Sequence, residues 1–100
     1  MTWIAVLGGG SWGTTLANHL VKNGRPVVLW VRDPCLETTI RGRRENPVYL
    51  PGITLDERLS TTSDMKEALI GAEIVVCAVP SHGIREVFVS ASRYLNDARI

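Results

Sequence analysis

The strongest constraint on this chain is a glycine-rich stretch that separates a strand pattern from a helical pattern. Apolar residues 4–7 lead directly into residues 8–13, Gly-Gly-Gly-Ser-Trp-Gly, and a helical pattern begins within that stretch. G-x-G-x-x-G between a strand and a helix is typical of a dinucleotide-binding loop. Gly8 allows the tight turn, Gly10 allows close approach of a pyrophosphate, and Gly13 lets the helix pack on the sheet. The sequence therefore predicts phosphates at the helix N-terminus; the alternative is a turn that binds nothing.

Composition excludes several other classes of protein. The formal net charge is +1, from 11 basic and 10 acidic residues, which gives no electrostatic case for nucleic acid or an anionic membrane as partner. The short basic cluster Arg41, Arg43 and Arg44 is interpreted as a solvated helix face. No apolar run approaches a membrane span of about 18 residues, and the N-terminus lacks a signal-peptide pattern. Two cysteines are too few for a disulfide framework, so we expect a cytoplasmic protein. We also predict no metal site.

Hydrophobic periodicity predicts an alternation of strands and helices. The predicted strands cover residues 2–7, 26–31, 59–61, 73–79 and 98–100, and the predicted helices cover 11–22, 36–44, 65–70 and 83–95. Ser63 is the candidate N-cap of the third helix. Right-handed crossovers between such strands give an α/β fold with a doubly wound parallel sheet of the Rossmann type. We expect this sheet to be truncated at residue 100, before it is complete.

The end of the second strand bears on the choice of cofactor. Enzymes that use NAD place an acid there to bind the ribose 2′-hydroxyl, and this position falls on Val31. Arg32 follows, and a guanidinium suits the 2′-phosphate of NADP, although it is alternatively an exposed surface arginine. Asp33 either reaches the ribose or caps the turn before Pro34. The sequence favours NADP and allows NAD.

A second loop, at residues 78–82, ends a long apolar strand beside the expected crevice. Pro80 and Ser81 are therefore candidates for cofactor binding, and Ser81 or His82 could contact the nicotinamide ribose or carboxamide. The favoured alternative is that one of these two residues caps the helix that begins near Gly83, because serine is a preferred N-cap. Trp12, in the glycine-rich stretch, either covers the pyrophosphate or packs on the next loop.

Four segments together resemble one known family. They are Gly-Gly-Gly-Ser-Trp-Gly-Thr-Thr-Leu-Ala at 8–17, Leu-Trp-Val-Arg-Asp-Pro at 29–34, Asn-Pro-Val-Tyr-Leu-Pro-Gly at 46–52 and Val-Pro-Ser-His at 79–82. In this order they resemble the N-terminal portion of bacterial NAD(P)-dependent glycerol-3-phosphate dehydrogenase. The resemblance implies an oxidoreductase that interconverts sn-glycerol 3-phosphate and dihydroxyacetone phosphate by hydride transfer, feeding glycerophospholipid synthesis. It also implies cofactor contacts from Ser11, Trp12, Arg32 and Tyr49. His82 departs from the glutamine more usual there, so no catalytic role is assigned to it.

The same resemblance places the chemistry outside residues 1–100. The family's catalytic and substrate-binding lysines belong to a later Thr-Lys-Gly stretch and a helical C-terminal domain, whereas the lysines here are Lys22 and Lys66. We therefore expect 1–100 to be an incomplete N-terminal dinucleotide-binding domain with no catalytic residue. Its substrate would be a small molecule bound by the intact enzyme, and a homodimer stays open. The alternatives are the nucleotide half of another hydroxyacid or sugar dehydrogenase, or a free-standing NAD(P)-binding module without catalysis. The predicted cofactor-binding residues are Gly8, Gly10, Ser11, Trp12, Gly13, Arg32, Tyr49, Pro80 and Ser81.

Overall fold

A computed structural model describes residues 2–80 and 83–94, in which strands and helices alternate along the chain. The elements are β1 Trp3–Leu7, α1 Ser11–Lys22, β2 Val27–Trp30, α2 Pro34–Arg43, β3 Ser60–Thr62, α3 Met65–Leu69, β4 Ala72–Cys77 and α4 Ile84–Ala91. Every predicted element within the described residues is present, with end points that differ by a few residues. The predicted strand at 98–100 lies outside the described residues.

The strands of the described part form one parallel sheet in the order β3-β2-β1-β4. The chain moves outward from β1 to β2 and β3 and then returns to β4 on the other side of β1. This reversal creates a crevice at the carboxyl ends of β1 and β4, where doubly wound sheets bind ligands. Leu7 is opposite both Trp30 and Cys77 in register, so the carboxyl ends of β1, β2 and β4 are level. The predicted doubly wound parallel sheet is confirmed.

Both faces of the sheet are covered, which explains the continuous apolar strands. Alternate residues of each strand point to opposite faces, so Val6 and Leu29 are buried with α1 and α2, whereas Ala5 and Leu7 are buried with α3 and α4. On the first face the helices contribute Ala17, Val21 and Ile40, and on the second Met65, Ala68, Leu69, Val87 and Ala91.

Two helix starts depend on aspartates. Asp33 caps α2, because its Oδ1 accepts a hydrogen bond from the Cys35 N–H at 2.9 Å and Pro34 occupies the first helical position. Of its two predicted roles, Asp33 therefore takes that of the cap. The N-cap of α3 is Asp64, whose Oδ1 accepts from the Lys66 N–H at 3.0 Å. The prediction that Ser63 caps this helix was wrong by one residue, because the strand before it continues to Thr62.

Residues 44–59 form an excursion between α2 and β3 that folds back against the sheet. Arg44 ends α2 in the left-handed conformation, with φ 53°, and its guanidinium donates to the carbonyls of Asp56 and Leu59, the latter at 2.9 Å. Arg44 thus holds the two ends of the excursion together, and its assignment to a solvated basic face was wrong. Arg41 and Arg43 are exposed as predicted.

The excursion is also fixed to α1. Buried Asn18 accepts a hydrogen bond from the Asp56 N–H at 2.8 Å through its Oδ1. Hydrogen bonds from Arg58 hold the pKa of the Asp56 carboxyl well below its usual range, so this group is charged at neutral pH. These contacts determine where residues 46–52 lie relative to the glycine-rich stretch.

Candidate functional site

A cavity of about 420 Å³ opens at the carboxyl ends of β1, β2 and β4. It is the crevice expected from the reversal of strand order, and it is bounded by four segments that are distant in sequence. The glycine-rich stretch, the end of β2, the excursion and the loop after β4 each contribute. The lining residues are Gly8, Gly9, Gly10, Trp30, Val31, Arg32, Asp33, Leu36, Val48, Tyr49, Ala78, Val79, Pro80, Gly83 and Val87.

The three glycines of the motif differ in what surrounds the position of a missing Cβ. Gly8 has φ 126°, and a Cβ on it would lie 2.8 Å from the Ala78 carbonyl oxygen. A Cβ on Gly13 would collide with the carbonyl oxygen of Gly8, so the first turn of α1 can approach β1 only without a side chain there. At Gly10 no heavy atom lies within 4 Å of the same hypothetical Cβ. The fold thus requires glycine at positions 8 and 13, whereas the missing side chain of Gly10 leaves open space beside the cavity.

The N-terminus of α1 is suited to an anion. The cap residue is Gly10, which has no side chain, and the first turn contains no acidic residue. The first N–H groups of a helix have no acceptor within it, and they carry the positive end of the helix dipole. The helix α1, which is twelve residues long, therefore begins beside the cavity. Its first N–H groups are free to donate and its first turn contains no acidic side chain, an arrangement that favours binding of a phosphate. Ser11 is exposed and Trp12 is 76% exposed, so Trp12 is not packed on another loop.

Asn46 links the glycine-rich stretch to the excursion, and sequence reasoning missed it. Its side chain is fully buried and its Nδ2 donates to the Gly9 carbonyl at 2.7 Å and to Thr14 Oγ1 at 2.9 Å. Its Oδ1 accepts from the Tyr49 N–H at 3.1 Å. An asparagine beside a proline in a polar stretch predicts a turn, so only its burial and partners could have revealed this role.

Tyr49 and Val48 form the rim of the cavity on the side of the excursion. Tyr49 is 52% exposed and Val48 is also exposed, although both line the cavity. The Leu50 N–H donates to the Asn46 carbonyl at 2.9 Å, so backbone and side chain of one asparagine hold this turn. The Tyr49 ring is therefore presented to the cavity by a loop attached directly to Gly9.

Arg32, which follows β2, lines the cavity and is engaged in an ion pair. Its guanidinium lies 2.7 Å from the Glu86 carboxylate in α4, with side chains 66% and 69% exposed. Sequence reasoning missed Glu86, because the two residues are 54 positions apart. Val31 is 1% exposed, and its methyl groups lie 3.0 Å from where a Cβ of Gly9 would be. The position predicted for an acid is thus filled by a packed apolar side chain.

The predicted cofactor-binding residues divide between the cavity lining and the adjoining turn of α1. Gly8, Gly10, Arg32, Tyr49 and Pro80 line the cavity, whereas Ser11, Trp12 and Gly13 belong to the adjoining turn of α1. Ser81 and His82 lie outside the described residues, so their contacts with a cofactor stay a prediction. The N-cap of α4 is Gly83, without a side-chain cap hydrogen bond, so the interpretation that Ser81 or His82 caps this helix was wrong.

The described ranges, residues 2–80 and 83–94, contain neither a metal-binding cluster nor a membrane-spanning helix. No group of three or more histidine, cysteine, aspartate or glutamate side chains in these ranges is arranged to hold a metal ion. Within the same ranges no helix has both the length and the apolar character needed to cross a bilayer.

Comparison with known proteins identifies a family. Residues 3–100 match the family described as NAD-dependent glycerol-3-phosphate dehydrogenase N-terminus. The chain is 49% identical over 92 residues to a glycerol-3-phosphate dehydrogenase [NAD(P)+] of Citrifermentans bemidjiense, covering 92% of this chain and 28% of that protein. It is 53% identical over 85 residues to the protein of that name from Corynebacterium glutamicum, covering 85% and 26%. A crystal structure of glycerol-3-phosphate dehydrogenase from Coxiella burnetii superposes with TM-score 0.91 at 32% identity, covering 98% of this chain and 30% of that one. The chain thus spans little more than a quarter of the length of its curated relatives.

We predict that Gly10→Val prevents dinucleotide binding without disturbing the fold. The open space around the Gly10 Cβ position accepts a branched side chain, which would then occupy the space predicted for the pyrophosphate. The dissociation constant of NADPH, measured by fluorescence titration of the intact protein, should rise by more than about tenfold, or 1.4 kcal/mol. The thermal midpoint should be unchanged. Gly42→Val, at an exposed and equally open glycine of α2, is the control and should bind normally. Normal binding by Gly10→Val would contradict the assignment of this loop.

We predict that Asn46→Ala weakens both the fold and nucleotide binding. Loss of buried hydrogen bonds with Gly9 and Thr14 should lower the free energy of unfolding by about 1–3 kcal/mol, measured by urea denaturation. Asn18→Ala is the matched control, because Asn18 also anchors the excursion from a buried site but does not contact Gly9 or Tyr49. At similar stability, only Asn46→Ala should raise the dissociation constant of NADPH. Equal loss of affinity in both variants would show that Asn46 acts through stability alone.

Proposed function

The chain belongs to the family of NAD-dependent glycerol-3-phosphate dehydrogenase N-termini, and from this premise we propose that it is the cofactor-binding part of an oxidoreductase acting on sn-glycerol 3-phosphate. The proposed reaction is reversible hydride transfer between that substrate and NAD(P), with dihydroxyacetone phosphate as the ketone. The observation that carries the cofactor assignment is the glycine-rich turn, whose central glycine is open to a cavity at the point of strand-order reversal.

The described residues fit a dinucleotide in three respects. The first turn of α1 would receive the pyrophosphate, because its N–H donors begin at Gly10 and no acidic side chain opposes them. Leu36, Val79 and Val87 supply apolar wall to the cavity, as expected for a site that encloses a planar base. Tyr49 and Arg32, which line the cavity from two separate segments, would each contact the nucleotide.

The chemistry of hydride transfer is supplied by the nicotinamide when it is bound, and the protein orients it. This chain's contribution is to hold the phosphates and the adenosine end in register with the sheet. The substrate's oxygen also needs a group that stabilises developing negative charge. Neither Lys22 nor Lys66 lines the cavity, so we propose that this group belongs to a further part of a longer protein, with a helical substrate domain. A cytoplasmic location and a role in glycerophospholipid synthesis are included in the proposal.

NADP is proposed as the favoured nucleotide, with NAD also accepted. Arg32 places a guanidinium at the rim of the cavity, immediately after the strand that holds the ribose-binding acid in NAD enzymes. Val31 offers no hydrogen-bond acceptor from its side chain, and Asp33 is engaged by the N–H of Cys35. These residues provide one cation, which is paired with Glu86, and no free acid beside the expected ribose.

The proposed activity predicts that the intact protein oxidises NADPH only when dihydroxyacetone phosphate is present. The rate is measured as the decrease in NADPH absorbance, with purified protein expressed from the complete gene. Gly10→Val should abolish it, and Gly42→Val should retain it. Oxidation with another ketone but none with dihydroxyacetone phosphate would favour a different hydroxyacid or sugar dehydrogenase. Nucleotide binding without any oxidation would favour a binding module.

The proposed cofactor preference predicts that Arg32→Ala weakens NADPH binding and leaves NADH binding nearly unchanged. A hydrogen bond to a charged group is worth about 1.5–3 kcal/mol, or roughly one to two decades in affinity. The measurement is the ratio of the two dissociation constants at low salt. Arg25→Ala, at an exposed arginine outside the cavity lining, is the charge-matched control. An unchanged ratio in Arg32→Ala would remove the basis for the NADP preference.

A further inference from the structure

The ion pair between Arg32 and Glu86 joins the segment after β2 to α4 beside the cavity. Arg32 follows β2, and Glu86 lies in the first turn of α4, next to the lining residue Val87. Their side chains meet at 2.7 Å although the residues are 54 positions apart. The other acid beside Arg32 is Asp33, whose carboxylate caps α2 instead. Glu86 is therefore the acid to which the Arg32 guanidinium is bound.

This pair contributes little to the fold, because both side chains are about two-thirds exposed. Exposed ion pairs are typically worth about 0.2–1 kcal/mol and are screened by salt. A ligand can therefore separate the pair at small cost, but the carboxylate reduces the positive charge that Arg32 presents to an anion. The pair thus has a larger effect on what binds at the rim than on stability.

The ion pair would affect the binding of NADPH and NADH differently. A 2′-phosphate would compete with the Glu86 carboxylate for one guanidinium, and the two anions would repel each other if both remained near it. A 2′-hydroxyl carries no charge and leaves the pair intact. The cost imposed by Glu86 thus falls on NADPH and not on NADH.

We propose that Glu86 is a specificity-determining residue that limits the preference for NADPH by binding Arg32. This inference rests on the proposed function, since it requires the cavity to hold a nicotinamide nucleotide. It also explains how one site accepts both nucleotides: Arg32 attracts the 2′-phosphate, and Glu86 offsets part of that attraction.

The test compares dissociation constants of NADPH and NADH for the intact wild-type protein, Glu86→Gln and Arg32→Ala/Glu86→Gln. Glu86→Gln keeps the size of the side chain and removes its charge. We expect NADPH to bind up to about fivefold more tightly to Glu86→Gln, the factor that corresponds to an exposed ion pair, while NADH changes less than about twofold. The gain should be smaller at high salt and absent in the double variant. Glu67→Gln, at an exposed glutamate of α3 outside the cavity lining, controls for net charge and should change neither constant.

The outcomes separate this inference from the function on which it rests. An unchanged ratio in Glu86→Gln, an equal gain for NADH, or a gain that persists without Arg32 would overturn the role of Glu86 while leaving nucleotide binding intact. Failure of the wild-type protein to bind either nucleotide would overturn the proposed function and this inference together. Thermal midpoints within about 2 °C of wild type, the shift expected for less than 1 kcal/mol, show that the variants are folded.

Discussion

The close approach of α1 to the carbonyl of Gly8 is the contact on which the rest of the site depends. It requires a bare backbone at Gly13, and the turn before it requires positive φ at Gly8. With these two conditions met, α1 begins at the carboxyl end of β1 and directs its unpaired N–H groups beside the cavity. A side chain at Gly13 would separate helix from strand and move these donors away from any bound phosphate.

A second constraint fixes the excursion to this turn. The carbonyl of Gly9 faces the excursion, where buried Asn46 satisfies it and also holds the N–H of Tyr49. The same carbonyl also accepts a hydrogen bond from Thr14 Oγ1 at 3.3 Å, so Asn46, Thr14 and the glycine-rich stretch form one hydrogen-bonded group. The rim residue Tyr49 is consequently positioned by the same backbone that is expected to bind phosphate. Arg44 adds the second attachment, through two carbonyls near the end of the excursion.

We propose that the ion pair between Arg32 and Glu86 affects nucleotide selectivity more than stability. The helix N-terminus offers partial positive charge to any dinucleotide, since every such ligand contains a pyrophosphate. Arg32 and Glu86 are different, because in the proposed site their charges would act on the one group that distinguishes NADP from NAD. The relative from Citrifermentans bemidjiense is named for both nucleotides, which is compatible with a site in which a cation and an anion oppose each other.

The sequence by itself determined the order of strands and helices, the parallel sheet and the glycine-rich turn between β1 and α1, because apolar periodicity and glycine spacing are local properties of the chain. The ends of helices were predicted less accurately. Ser63 was expected to cap α3 but Asp64 does, because either of two neighbouring residues can cap a helix. Tertiary structure alone decided the roles of Asn46, Arg44 and Glu86. Apart from the Tyr49 N–H that Asn46 also binds, their partners lie 12 to 54 positions away. A polar side chain looks the same in sequence whether it faces water or a buried carbonyl.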